Sequence, residues 1–162
     1  MNSPQPKESM ENTLYQLVVF TLSEQRYALC LGAVERVFPF AEVTHLPQAP
    51  EVVLGVVNVR GRIIPVVDIR KRLRLPDRET NLSDRLIVAQ TSRRTVALIA
   101  DAVSGVVEGS KDELIAAETI LPGLEYVEGV TKLEDGMILI HNLEKFLSLE
   151  EEKTLDRALK QP

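Results

Sequence analysis

The chain has no tryptophan, one cysteine, three tyrosines and four phenylalanines among 162 residues. Large rings therefore cannot fill its core. Valine, leucine and isoleucine must do so, and that β-branched bias favours strands. The single Cys30 excludes an intramolecular disulfide and fits a reducing compartment. Flanked by Leu29 and Leu31, it reads as a buried structural thiol, because a nucleophilic one needs an electropositive, partly exposed setting. The two histidines, His45 and His141, lie far apart and fall short of the roughly four ligands of a zinc site. There is no phosphate-cradling lysine loop, no dinucleotide glycine fingerprint, and no nucleophile elbow around Ser104-Gly105. No metal, cofactor or catalytic residue is expected. No run approaches the ~18 apolar residues of a spanning helix. A net charge of −5 does not suit nucleic acid or anionic lipid. The opening MNSPQPKESMEN lacks the apolar stretch of a secretory leader, so residues 1–13 are expected to be a disordered lead-in to a cytoplasmic protein.

Hydrophobic residues make up 44% of the chain and charged residues 27%, which is a globular composition. Leu14 to Leu22 and Arg26 to Leu31 read as a hairpin around a Ser23 to Gln25 turn. In Ala33 to Phe40, one helical turn leading into a strand would bring Val34 and Val37 to one side. The prolines of HLPQAP then end regular structure. Val53 to Val59 and Ile63 to Ile69 are near-continuous apolar strands, expected to be buried on both faces, around an Arg60-Gly61 turn. Pro65 places the second of them at an edge or a bulge. Asp68 to Leu75 reads as a short helix and Pro76 to Asp84 as a polar loop.

Arg85 to Thr91 and Thr95 to Val103 form another hairpin, Gly105 and Gly109 punctuate the next strand, and Ala116 to Gly123 is irregular. Tyr126 to Leu133 and Met137 to His141 form a last hairpin around Asp135-Gly136. Asn142 can cap a short helix whose Leu143, Phe146 and Leu147 share a face. Ser148 with Glu151 is a capping box for a final helix with Leu155 and Leu159 four apart. Roughly nine or ten short strands at this spacing point to small barrels and not to a doubly wound sheet.

Charge is unevenly spread. Seven basic residues between Arg60 and Arg78 face two acids, Asp68 and Asp77, a net of +5. Eight acids between Glu108 and Asp135 face Lys111 and Lys132, a net of −6. Such polarity suits orientation against protein partners, while the basic stretch lacks the interleaved aromatics of a nucleic-acid site. Glu150 to Glu152 read as a solvated helix start. Arg60, at a turn tip between two apolar strands, is displayed on a rigid frame, where its planar fork can take a carboxylate or carbonyl pair.

The stretch LGVVNVRGRIIPVVDIRKRL, preceded by VERVFPFAEVTHLPQAPE and followed by VALIADAVSGVVE and GMILIHNLEKFL, closely resembles the CheW family of chemotaxis coupling proteins. The likeness runs from about Leu14 to Leu149, and the G-x-x-N-x-R-G-x-x-x-P-V-x-D pattern is its most specific part. It implies a mainly β fold of two intertwined five-stranded β-barrel subdomains over residues 14–149, with a C-terminal helix and tail over 150–162. It implies no enzyme activity. The implied role is an adaptor between the cytoplasmic tip of methyl-accepting receptors and the regulatory domain of the histidine kinase CheA, recruited to arrays at the inner membrane without inserting into it. The residues implied for partner binding are Arg60, Gly55 and Asn58 of the motif, Val34 and Val37 beside a groove for the receptor's helical hairpin, and Val103 on its other wall. Arg36 departs from the pattern, standing where relatives carry an acid, with Glu35 displaced by one. A charge reversal at a contact edge is a route to a different cognate receptor or kinase. Two alternatives stay open from the sequence: a scaffold of the same fold in another chemosensory pathway, and a small enzyme or nucleic-acid binder on a barrel.

Overall fold

A computed structural model describes residues 14–110, 115–116, 127–133 and 136–160. The expected lead-in at 1–13, most of the irregular segment at 116–123, the first residue of the Asp135-Gly136 turn and the last two residues lie outside them. Strands β1 (Leu14–Leu22) and β2 (Gln25–Cys30) form the first hairpin. Ser23 and Glu24 close it at positive φ, 49° and 70°, the turn geometry that matches the right-handed twist of paired strands. After a 3-10 turn at Leu31–Ala33 come β3 (Val34–Pro39), β4 (Val53–Val59), β5 (Arg62–Val67), a short helix α1 (Ile69–Arg72), β6 (Arg85–Gln90) and β7 (Thr95–Ala100). Then follow β8 (Ala102–Ser110), β9 (Ile115–Ala116), β10 (Val127–Leu133), β11 (Gly136–His141), a 3-10 turn at Leu143–Lys145 and helix α2 (Leu149–Lys160). Val103 thus opens β8 and does not end the preceding hairpin.

The middle of the chain makes a five-stranded sheet in the order β3-β6-β7-β5-β4. The two ends make the other, β8-β1-β2-β11-β10-β9, whose sixth member is the two-residue β9. The chain starts in one sheet, builds all of the second, and returns to the first, so the subdomains are intertwined. The largest hydrophobic cluster joins them: Phe20, Leu22 and Leu29 from one sheet meet Val53, Val67, Ile87 and Leu98 from the other, with Phe146 and Leu155 closing over them. Smaller aliphatic clusters lie in each sheet.

β5 is not an edge strand. Pro65 is tolerated because its partner Val56 has turned both backbone groups away, to Thr44 (2.8 Å each), and the parallel ladder to β7 starts only at Val66. The edge is β4, so its residues alternate and Leu54 and Asn58 face outward. The Thr44 bridge, five residues beyond β3, draws the far edge of the sheet onto β4. It needs Gly55: a Cβ there would lie 2.1 Å from the Thr44 carbonyl oxygen.

One residue, Asp101, separates β7 in the second sheet from β8 in the first. Its N–H donates to the Thr21 carbonyl (2.9 Å), and its carboxylate accepts from Ser23 N–H (2.9 Å), Arg70 (2.5 Å) and Arg78 (2.6 Å). Burial alone raises the pKa of this carboxyl, but the Ser23 amide and the two guanidiniums outweigh it and hold the pKa below the ordinary value. Asp68 caps α1, accepting from the N–H groups of Arg70 and Lys71, and so aims Arg70 at Asp101.

The basic stretch is therefore largely self-neutralised. Arg62 pairs with Glu35, Lys71 with Glu51, Arg72 with Glu151, and Arg78 with Asp84 as well as Asp101. The Ser148–Glu151 capping box forms as expected, with bonds of 2.8 and 3.1 Å. Glu151 and Glu152 are not solvated, because Arg72 and Arg94 of the second sheet's subdomain reach them. Leu155 is buried, and Ala158, not Leu159, follows it inward. Cys30 is exposed: it ends β2 beyond the Tyr27–Ala28 pair where β11 covers that strand.

His141 is 2% exposed. Its ring lies 4.7 Å from Tyr27, 5.4 Å from Phe146 and 6.2 Å from Phe20, and neither nitrogen has a hydrogen-bond partner among the described residues. Burial lowers its pKa from 6.5 to about 4.

Two predictions follow from the closure and from the buried ring. Gly55→Ala lowers unfolding stability by about 2–4 kcal/mol in urea titration, since the carbonyl it strikes is fixed backbone. Unfolded His141 binds its proton at an ordinary pKa and folded His141 only near 4, so between these values the unfolded chain carries more protons. Stability then falls as pH drops through that window, by roughly 3 kcal/mol in total, and levels off for this group below it. His141→Phe removes that increment, read as a shallower loss of stability between about pH 7 and pH 4.5.

Candidate functional site

β3 carries two different surfaces. Its ladder with β6 pairs Val34 with Ala89 and Arg36 with Val88, leaving Glu35 as an extra residue. In a regular strand, residues three apart face opposite ways; the bulge returns them to one side. Val34 and Val37 therefore share a face through a β-bulge, whereas the helical turn covers only Leu31–Ala33. Both valines are half-buried against the core that joins the subdomains. Val103 packs against the same core from β8, where it lies opposite Phe20. The three sequence-selected valines thus pack on one hydrophobic core, Val34 and Val37 from β3 and Val103 from β8.

The other face of β3 holds Arg36 and Phe38. Phe38 packs inward on the cluster of Val57, Val59 and Ile64 inside the second sheet. Its ring lies 5.8 Å from the Arg36 guanidinium carbon and 5.4 Å from that of Arg60. Arg60 comes from the β4–β5 turn, although β3 and β4 are opposite edges of the sheet, so these contacts also record how far the sheet curls.

The turn itself is built for display. Arg60 and Gly61 both have positive φ, 52° and 87°, and the Asn58 side-chain oxygen accepts the Gly61 N–H at 2.9 Å. Asn58 is exposed but props the turn, and Gly55 is buried and serves closure. Arg60 and Arg36 have no ion pair among the described residues, in contrast to Arg62 beside them, which holds Glu35 at 2.6 Å. Phe38 was missed in the sequence; its spacing of two from Arg36 on one strand face was the available signal.

Nothing at this site is arranged for bond making. Among the described residues no group of three or more His, Cys, Asp or Glu could hold a metal ion, and no helix is long and apolar enough to cross a membrane. Half-buried valines on one face of β3 and two exposed guanidiniums over Phe38 on the other are surfaces suited to holding another protein.

Known proteins share this fold. A family model described as CheW-like domain matches residues 16–151. A chemotaxis protein CheW of Rhizobium meliloti is 32% identical over 138 residues, covering 84% of this chain and 89% of that protein. The protein of the same name from Klebsiella aerogenes is 27% identical over 147 residues, covering 90% and 89%. The crystal structure of the scaffolding protein TtCheW from Thermoanaerobacter tengcongensis superposes with a TM-score of 0.77 at 30% identity, covering 85% of this chain and 94% of that one. With a family match over most of its length and a shared fold, the chain belongs to the CheW family of chemotaxis scaffold proteins.

Proposed function

We propose that this chain is a non-enzymatic adaptor that couples methyl-accepting chemoreceptors to the histidine kinase CheA. The observation that supports the reading is that β3 carries half-buried Val34 and Val37 on one face and Phe38, beneath the displayed Arg60, on the other, while Val103 packs on the same core as the two valines from β8. An amphipathic helix docks on an apolar surface through anchors spaced three and four apart, and a charge at the rim sets its register. The helical hairpin at the receptor's cytoplasmic tip fits that description, and the kinase's regulatory domain is the second partner. Binding both recruits the adaptor to receptor arrays at the membrane without insertion of its own.

A kinase pull-down tests the reading directly: capture of neither the CheA regulatory domain nor a receptor cytoplasmic fragment sinks it. Arg60 is exposed and has no ion pair among the described residues, so Arg60→Glu is expected to shift unfolding stability by less than about 0.5 kcal/mol. The same substitution is expected to weaken receptor-dependent kinase activation by about tenfold or more. A large loss of stability would instead make Arg60 a structural residue.

A further inference from the structure

We infer that Arg36 and Arg60 together form one carboxylate-binding site, and that the partner surface this adaptor grips presents an acidic side chain to it. The inference rests on the adaptor reading and names the chemistry of the contact. Both guanidiniums lie within 6 Å of one ring, that of Phe38, at 5.8 and 5.4 Å. A ring face offers a cation about 0.5–1 kcal/mol at an exposed site, which does not neutralise it. Two like charges on a single ring, with no carboxylate among the described residues to bridge them, form a site lacking its anion. Its neighbours differ: Arg62, Arg70, Arg72 and Arg78 each hold an acid of this chain.

The surroundings select the kind of anion. The protein carries a net charge of −5, and the Glu35–Arg62 pair starts on the residue before Arg36, so an extended polyanion meets repulsion here. Ile63 is 59% exposed on the hairpin that bears Arg60, an apolar foothold a free ion would not use. A single Glu or Asp on an amphipathic segment satisfies both features, and two planar forks can share its oxygens. Arg36 is then a specificity residue: it leaves Arg60 free of an internal partner. A glutamate at 36 would gain nothing from the ring face and would lower the positive charge beside Arg60.

Calorimetric titration of the CheA regulatory domain and of a receptor cytoplasmic fragment tests this with wild type, Arg36→Gln and Arg36→Glu. The expected result, with at least one partner, is about threefold weaker binding for Arg36→Gln and about tenfold or more for Arg36→Glu, each gap narrowing as salt rises. The melting temperature of Arg36→Glu should be unchanged or higher, because a repulsion is replaced by an attraction; a merely structural arginine would lower it. Adding Arg60→Glu to Arg36→Glu should cost little more, since the two-arginine site is already broken. If wild type binds and Arg36→Glu binds both partners within twofold of it, or more tightly, the carboxylate site is overturned while the adaptor reading stands. If wild type binds neither partner, the adaptor reading falls and this inference with it.

Discussion

Asp101 is the constraint on which the two-sheet arrangement turns. A chain that leaves one sheet, builds another and returns must cross between them, and here the return crossing is a single residue wide. Its carboxylate gathers the β1–β2 turn through Ser23, helix α1 through Arg70 and the polar loop through Arg78, which also holds the buried Asp84. Such a network adds little net stability over a hydrophobic equivalent, but removing one member leaves partly buried charges unpaired, at a cost of about 1–3 kcal/mol. Its value is positional. Val103 stands two residues beyond Asp101, so the clamp that fixes the crossing also fixes where Val103 meets the core.

Much of this fold was legible because the governing interactions are local. Alternating β-branched runs marked the strands, Asp68 and Asn142 sat at helix caps, and Ser148 with Glu151 formed their box. What escaped depends on neighbours distant in sequence. The bulge at Glu35 exists only against β6, and burial of Cys30 failed because β11 stops short of it. Glu152 is buried by an arginine 58 positions away. The basic run read as a face for partners because sequence shows charge and not pairing. At the candidate site the valines and Arg60 were named from the family pattern, whereas Phe38, which joins the two free arginines, depends on sheet curl and left only a weak trace.

The family motif mostly names mechanical parts. Gly55 admits the Thr44 carbonyl, Asn58 holds the Gly61 amide, Gly61 completes the turn, and Asp68 caps the helix that sends Arg70 to Asp101. Arg60 is exposed at the tip of the turn that these parts build. A residue other than glycine in the left-handed region costs about 1–2 kcal/mol, and Arg60 occupies it at φ 52°. Nothing in the turn's own geometry requires an arginine; glycine or asparagine would sit there with less strain. The Asn58 bond and the Phe38 ring offset part of that strain, but neither needs the full guanidinium charge. The same hairpin that carries Arg60 is tied, through Asp68 and Arg70, to the crossing at Asp101. The Arg60 turn and the crossing before Val103 are therefore linked through one set of hydrogen bonds and ion pairs.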